Sequence, residues 1–108
     1  MSVIRYIEKT ITVSAGTSKK ETIFKRTSEK SVNLHYLNIK TDANTSSAVI
    51  IIDSYVFSPL LGANAVYELG PSKLFNKVNV NDEIAVNVVA SAAVAATVFV
   101  FGYVEIES

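Results

Sequence analysis

Apolar and polar residues alternate along much of this chain with the two-residue period of a β-strand. Successive side chains of a strand point to opposite faces of its sheet, so this pattern predicts half-buried strands. Turn-forming residues separate the runs about every 8 to 12 positions, which is typical of an all-β sandwich or barrel. We therefore predict an antiparallel β-sandwich, jelly-roll-like, with about eight strands. The predicted strands are Val3–Ser14 with a bend near Glu8, Glu21–Thr27, Ser31–Lys40, Ser47–Phe57, Lys73–Val80, Glu83–Ala90 and Ala92–Ile106, with a short apolar piece at Ala65–Tyr67.

Two places depart from simple alternation. At Tyr36–Leu37 the apolar positions change face, which predicts a β-bulge or a change of sheet. From Ser58 to Pro71 the chain carries two prolines and two glycines, and we expect a long connection between the sheets there. No repeat or linker divides the sequence, so residues 1–108 are expected to form a single β-sandwich domain.

The last two predicted strands, between Asp82 and Ile106, are apolar on both faces. Outer positions of a sandwich strand normally meet water and are polar, so a second apolar face needs cover. The cover could come from Val3–Ile7, from the 58–71 connection or from another subunit. If another subunit provides the cover, we predict that it contacts these apolar residues of the two strands: Val89, Val94, Val98, Val100, Val104, Phe99, Phe101 and Tyr103.

A transmembrane helix is the alternative for Ile84–Val104, because the segment is long enough to span a bilayer. Its flanks are acidic, however, and carry no Lys or Arg that would anchor or orient a helix. We therefore favour strands and expect no membrane partner.

Composition narrows the possible functions. Ten basic and ten acidic residues cancel, which argues against nucleic acid as a partner. With no cysteine, the chain has neither disulfides nor a thiolate metal site, and we expect no cofactor. Its start lacks the features of a secretory signal, so we expect synthesis and use in a cytoplasm.

No catalytic constellation is apparent, and we predict that the protein is not an enzyme. His35 is the one histidine, and nothing in its spacing supplies the nucleophile and orienting carboxylate that a catalytic triad needs. Asp82 and Glu83 are adjacent and so point to opposite sides of a strand. Asp53 interrupts an apolar run and is expected at a strand end or interface, although a raised pKa there would be a sign of function.

Basic residues gather at Lys19–Lys20, Lys25–Arg26 and Lys30, but Glu21 and Glu29 interrupt them. We interpret them as a solvated strand edge rather than a phosphate site. Lysines on an edge strand also discourage unwanted sheet pairing.

Four segments together are similar to those of a known group of proteins. They are the Thr-Val-Ser-Ala-Gly turn at Thr12–Gly16, the Val-Ile-Ile-Ile strand at Val49–Ile52, Val80–Val86, and the ending Phe-Gly-Tyr-Val-Glu at Phe101–Glu105. With them the chain resembles small β-sandwich virion structural proteins of tailed bacteriophages, of the decoration, head-fibre or neck/tail type. The resemblance implies a structural role in the particle through subunit contacts, without catalysis and with no catalytic residues to carry over.

The leading hypothesis from sequence is a non-enzymatic virion structural or assembly protein, made in the host cytoplasm. Its expected partners are further copies of itself and other virion proteins, and we expect no small-molecule ligand. The alternative is a module that binds glycans or a host surface through Tyr55, Tyr67 and the 58–71 loop.

Overall fold

The computed structural model describes residues 2–70 and 77–107, and in these ranges the chain forms nine β-strands in two antiparallel sheets. The predicted all-β, jelly-roll-like sandwich is confirmed. Residues 73–76 of the predicted strand Lys73–Val80, and Pro71 of the predicted connection, lie outside the described residues. The strands are β1 (Ser2–Val13), β2 (Ser18–Lys25), β3 (Ser31–Thr41), β4 (Thr45–Ile52), β5 (Tyr55–Val56), β6 (Val66–Leu69), β7 (Val78–Asn79), β8 (Glu83–Ala90) and β9 (Ala96–Glu107).

The first sheet has the order β1-β9-β3-β6, with β7 also pairing with β3, and the second has the order β2-β8-β4-β5. The two strands that the sequence marks as apolar on both faces, β8 and β9, lie inside their sheets with a neighbour on each side. Together they span most of Ile84–Val104, which is therefore not a helix. In the described part of the chain, no helix is long and apolar enough to cross a membrane.

The N-terminal strand does not cover the outer face of β9. It lies beside β9 as the edge strand of the same sheet, in an unbroken antiparallel register from Ser2–Glu107 to Val13–Ala96. The predicted bend near Glu8 is absent, because this ladder continues through it. The 58–70 connection does not cover that face either: it adds β6 to the far edge of the same sheet.

The predicted β-bulge is confirmed one residue away from its expected place. The pairing of β3 with β9 shifts register between Leu34 and Tyr36. The shift brings the backbone of Tyr36 against Gly102 of β9, where a Cβ atom would lie 2.3 Å from the Tyr36 carbonyl oxygen. A Cβ atom there would force the backbone of β3 to shift, so glycine is strongly favoured in the Phe-Gly-Tyr sequence.

The core lies between the sheets and contains the inward residues of β8 and β9. Val98, Val100 and Val104 are at most 2% exposed, because alternate residues of β9 point toward the second sheet. The prediction that these three valines contact another subunit from the surface is therefore wrong for this fold. The opposite set on β9, which includes Phe99 and Phe101, faces outward.

Asp42, in the turn between β3 and β4, links distant parts of the fold. One carboxylate oxygen accepts hydrogen bonds from the Asn44 N–H and the Thr45 hydroxyl, each at 3.0 Å. The other accepts the N–H of Thr97 at 2.8 Å, at the start of β9. Burial raises the pKa of Asp42. The hydrogen-bond donors, the Thr97 N–H first among them, together lower the pKa by more than burial raises it, so the pKa of Asp42 lies below its usual value.

Candidate functional site

The outer side of the first sheet carries five aromatic residues that we call the aromatic face: Tyr6, Tyr36, Phe99, Phe101 and Tyr103. Strand register brings them together, because Tyr103 of β9 lies opposite Tyr6 of β1 on one side and Tyr36 of β3 on the other. Tyr6, Phe99 and Phe101 are 67%, 50% and 44% exposed, while the other two are half-buried. An apolar surface of this kind on the outside of a sheet is a candidate contact surface.

Four of these rings pack against one another into a continuous cluster. Tyr36 and Tyr103 stack with centroids 5.8 Å apart, and Tyr6 meets Tyr103 edge-on at 6.0 Å. Phe101 completes the cluster, with its ring 6.2 Å from that of Tyr6. Because these contacts hold the four rings in place before binding, the rings would lose little conformational entropy when a partner binds.

Two carboxylates beside the aromatic face are already hydrogen-bonded. The Tyr36 hydroxyl donates to Glu68, and this bond raises the pKa of Tyr36. His35 Nε2 lies 3.0 Å from Glu105 Oε1, and its hydrogen bond lowers the pKa of Glu105. His35 is therefore a positioned surface residue with a carboxylate partner.

A shallow groove of about 240 Å³ crosses the aromatic face. It is smaller than typical ligand pockets, which measure roughly 300–1,000 Å³. It can receive a protruding side chain of a partner more readily than a whole cofactor. The groove is lined by Glu8, Lys9 and Thr10 of β1, Asn38 and Lys40 of β3, and Phe99, Val100 and Phe101 of β9.

The predicted contact residues divide between different surfaces. Phe99, Phe101 and Tyr103 belong to the aromatic face, whereas Val89 is half-buried on β8 of the second sheet and Val94 is 49% exposed in the loop before β9. Sequence reasoning missed Tyr6 and Tyr36. Both are aromatic residues of predicted strands, but only the pairing of β1 and β3 with β9 shows that they join its outward residues.

The tyrosines of the alternative glycan-binding hypothesis do not form a shared platform. Tyr55 is 74% exposed on β5 of the second sheet, while Tyr67 belongs to β6 of the first sheet and packs against the core. A sugar-stacking site needs an accessible ring face, which the packing of Tyr67 restricts.

The candidate catalytic groups lie apart. His35 is hydrogen-bonded to Glu105. Asp53 lies in the turn between β4 and β5, and its carboxylate accepts hydrogen bonds of 2.7–3.1 Å from the backbone N–H groups of Asn81, Asp82 and Glu83. Asp53 thus caps the start of β8, which confirms its predicted place at a strand end. Among the residues that the structure describes, no group of three or more His, Cys, Asp or Glu side chains could hold a metal ion.

The lysines of the basic region pair with acidic residues. Lys19 lies 3.0 Å from Glu21, Lys30 lies 3.7 Å from Glu107, and Lys25 contacts Asp82. Since β2 is an edge strand of the second sheet, the predicted solvated edge is confirmed. These ion pairs leave little free positive charge for a phosphate.

Comparison with known proteins gives the fold and no family. No family model and no curated protein matches the sequence. A chain of the cyanophage Pam1 capsid asymmetric unit is 13% identical with a TM-score of 0.57, and the match covers 99% of this chain and 85% of that one. A chain from Bacillus endospore appendages, described as a novel family of disulfide-linked pili, is 12% identical with a TM-score of 0.55, covering 99% and 90%. Both share the sandwich fold.

Proposed function

We propose that this protein is a non-enzymatic structural subunit that acts through contacts between subunits, with the aromatic face as a contact surface. The observation that carries the proposal is the exposure of Tyr6, Phe99 and Phe101 on the outside of a sheet, where a sandwich strand is normally polar. Aromatic residues are enriched at the centres of protein interfaces and contribute much of their binding energy.

The fold supports this proposal, because the two similar structures come from assemblies: a phage capsid and pili. More specifically, we propose a capsid decoration, head or tail component of a bacteriophage particle, made in the host cytoplasm, with residues 1–108 as one unit. The ending Phe-Gly-Tyr-Val-Glu at Phe101–Glu105, which resembles that of phage virion structural proteins, points the same way. Residues 1–108 contain no cysteine, so this domain itself can form no disulfide between subunits, unlike the disulfide-linked pili.

Sedimentation velocity over a micromolar concentration series tests the proposal. We expect the wild type to self-associate, and Phe99→Ser with Phe101→Ser to weaken association at least about tenfold, since interface aromatics often contribute more than about 1 kcal/mol each. Leu60→Ser is the matched control, because Leu60 is 74% exposed but lies outside the aromatic face. A wild type that stays monomeric, or a Leu60→Ser variant as impaired as the double variant, contradicts the proposal.

A further inference from the structure

Charged residues around the aromatic face differ in whether they have partners. Glu68 bonds to a tyrosine, Glu105 to a histidine and Glu107 to a lysine. Glu8 and Lys40 make neither an ion pair nor a side-chain hydrogen bond within residues 2–70 and 77–107. Lys9 also lines the groove without such a partner, but it lies opposite Val100, whose side chain points inward. Glu8 and Lys40 are thus unpaired charges of opposite sign that share the outward face with Phe99 and Phe101.

These two charges stand on opposite walls of the groove. Glu8 of β1 lies opposite Phe101 of β9, and Lys40 of β3 lies opposite Phe99. Because β9 runs between them and the two positions are offset by two residues along the strands, their Cα atoms lie about 12 Å apart, with the phenylalanines of β9 between the two side chains. The surface thus has an apolar centre with an acid on one side and a base on the other.

We infer that the occupant of the aromatic face is a second copy of this chain, bound face to face about a two-fold axis parallel to β9. The inference rests on the proposed function and names the partner. Such an axis places the β1 side of one copy over the β3 side of the other. Glu8 then lies across the interface from Lys40 of the partner subunit, offset by about 7 Å along the strands, which the long lysine side chain can span. The reciprocal pair forms on the other side of the axis.

The phenylalanines support the same arrangement. Phe99 and Phe101 lie on β9, closest to the axis, so the rings of the two copies meet at the centre of the contact and the ion pairs lie outside them. Aromatic centres with polar rims are the usual anatomy of protein interfaces. A partner of one charge sign would satisfy either Glu8 or Lys40, whereas a second copy satisfies both.

The area available fits a stable dimer. Two twelve-residue strands and their neighbours give the sheet a footprint of about 700 Å². Standard interfaces bury about 800 Å² per partner. Sheets packed face to face keep their strands within about 30° of each other, which the two-fold axis along β9 allows.

Charge exchange between the two positions tests the inference. Glu8→Lys alone sets two lysines against each other at both contacts of the homodimer, and Lys40→Glu alone sets two glutamates against each other. Each variant should associate on the order of tenfold more weakly than wild type. Mixed in equal amounts, they should form a heterodimer of near wild-type affinity, because every contact again joins opposite charges.

The double variant, Glu8→Lys with Lys40→Glu, should also recover self-association. Lys19→Glu on β2, with the same change in net charge as Lys40→Glu, serves as the control and should leave association unchanged. Sedimentation velocity measures association, and circular dichroism verifies that each variant is folded. If the wild type associates but neither the mixture nor the double variant recovers, the face-to-face dimer is overturned while the proposed function stands. If the wild type is monomeric, the proposed function itself fails.

Discussion

Replacing Gly102 with alanine tests whether the bulge in β3 presses on β9 as the structure shows. The added Cβ would lie 2.3 Å from the Tyr36 carbonyl oxygen and 3.0 Å from the Leu37 Cα atom. Both are backbone atoms, and Gly102 pairs with β1 and β3 at once. Neither neighbour can move away without disturbing a hydrogen-bonded ladder, so the clash cannot be relieved by a side-chain rotation.

The expected cost follows from two opposing effects. Overpacking a core costs about 1–3 kcal/mol, and more when backbone has to shift. Alanine also restricts the unfolded chain, which stabilises by about 0.4–1 kcal/mol and offsets part of this cost. We expect Gly102→Ala to lower the free energy of unfolding by about 2 kcal/mol. With a urea dependence of about 1–3 kcal/mol per molar, the unfolding midpoint should fall by about 1 M.

Urea unfolding followed by far-ultraviolet circular dichroism measures this change. Gly62→Ala is the matched control, because a Cβ there meets no atom within 4 Å. The control should unfold within about 0.5 kcal/mol of wild type. Equal midpoints for the two variants would show that β3 does not approach Gly102 closely, and the account of the bulge would have to be abandoned.

Three further changes probe other parts of the fold. Asp42→Asn should destabilise by about 1–2 kcal/mol in urea unfolding, because an amide accepts the hydrogen bonds that now reach the carboxylate less well. The pKa of Asp42 is lower in the folded state than in the unfolded state. The charged carboxylate therefore stabilises the fold above the unfolded-state pKa, and this stabilisation is lost as the pH falls through the lower folded-state pKa. Wild type should lose stability below about pH 4 more steeply than Asp42→Asn. His35→Leu should raise the pKa of Glu105, followed by its carboxyl carbon-13 shift; an unchanged pKa would rule out the hydrogen bond. Ile50→Ala should cost about 2–5 kcal/mol in the same unfolding assay, since Ile50 is fully buried; a smaller cost would mean that the core tolerates the cavity.

Much of the fold could be predicted from local pattern. The bounds of β8 agree with the predicted Glu83–Ala90, and the bulge near Tyr36 follows from a visible change of phase. Strand alternation is a local property, because neighbouring side chains must point to opposite faces whatever the strand pairs with. The short β7 and the hairpin of β4 and β5 were less visible, since two-residue strands carry almost no period.

The candidate site was only half predictable, for a physical reason. Both faces of β9 are apolar, so alternation separates Val98 from Phe99 without saying which one points inward. That choice depends on the second sheet, and the neighbours that complete the aromatic face depend on strand pairing. Tyr6 and Tyr103 are almost a hundred residues apart, and no local pattern records that they lie opposite each other.

The pairing of β1 with β9 also determines when the first sheet can form. During synthesis the ribosome releases β1 long before it releases Ala96–Glu107, so β1 is without β9, the strand with which it pairs among the described residues. Val3 and Ile4 of this strand are about half exposed even in the folded protein. An unpaired strand with apolar side chains can pair with strands of other chains. Long-range pairing also slows folding, because the connecting chain must close a large loop. Yield of folded protein from cells should therefore depend on temperature and chaperone supply during synthesis more than on the stability of the finished sandwich.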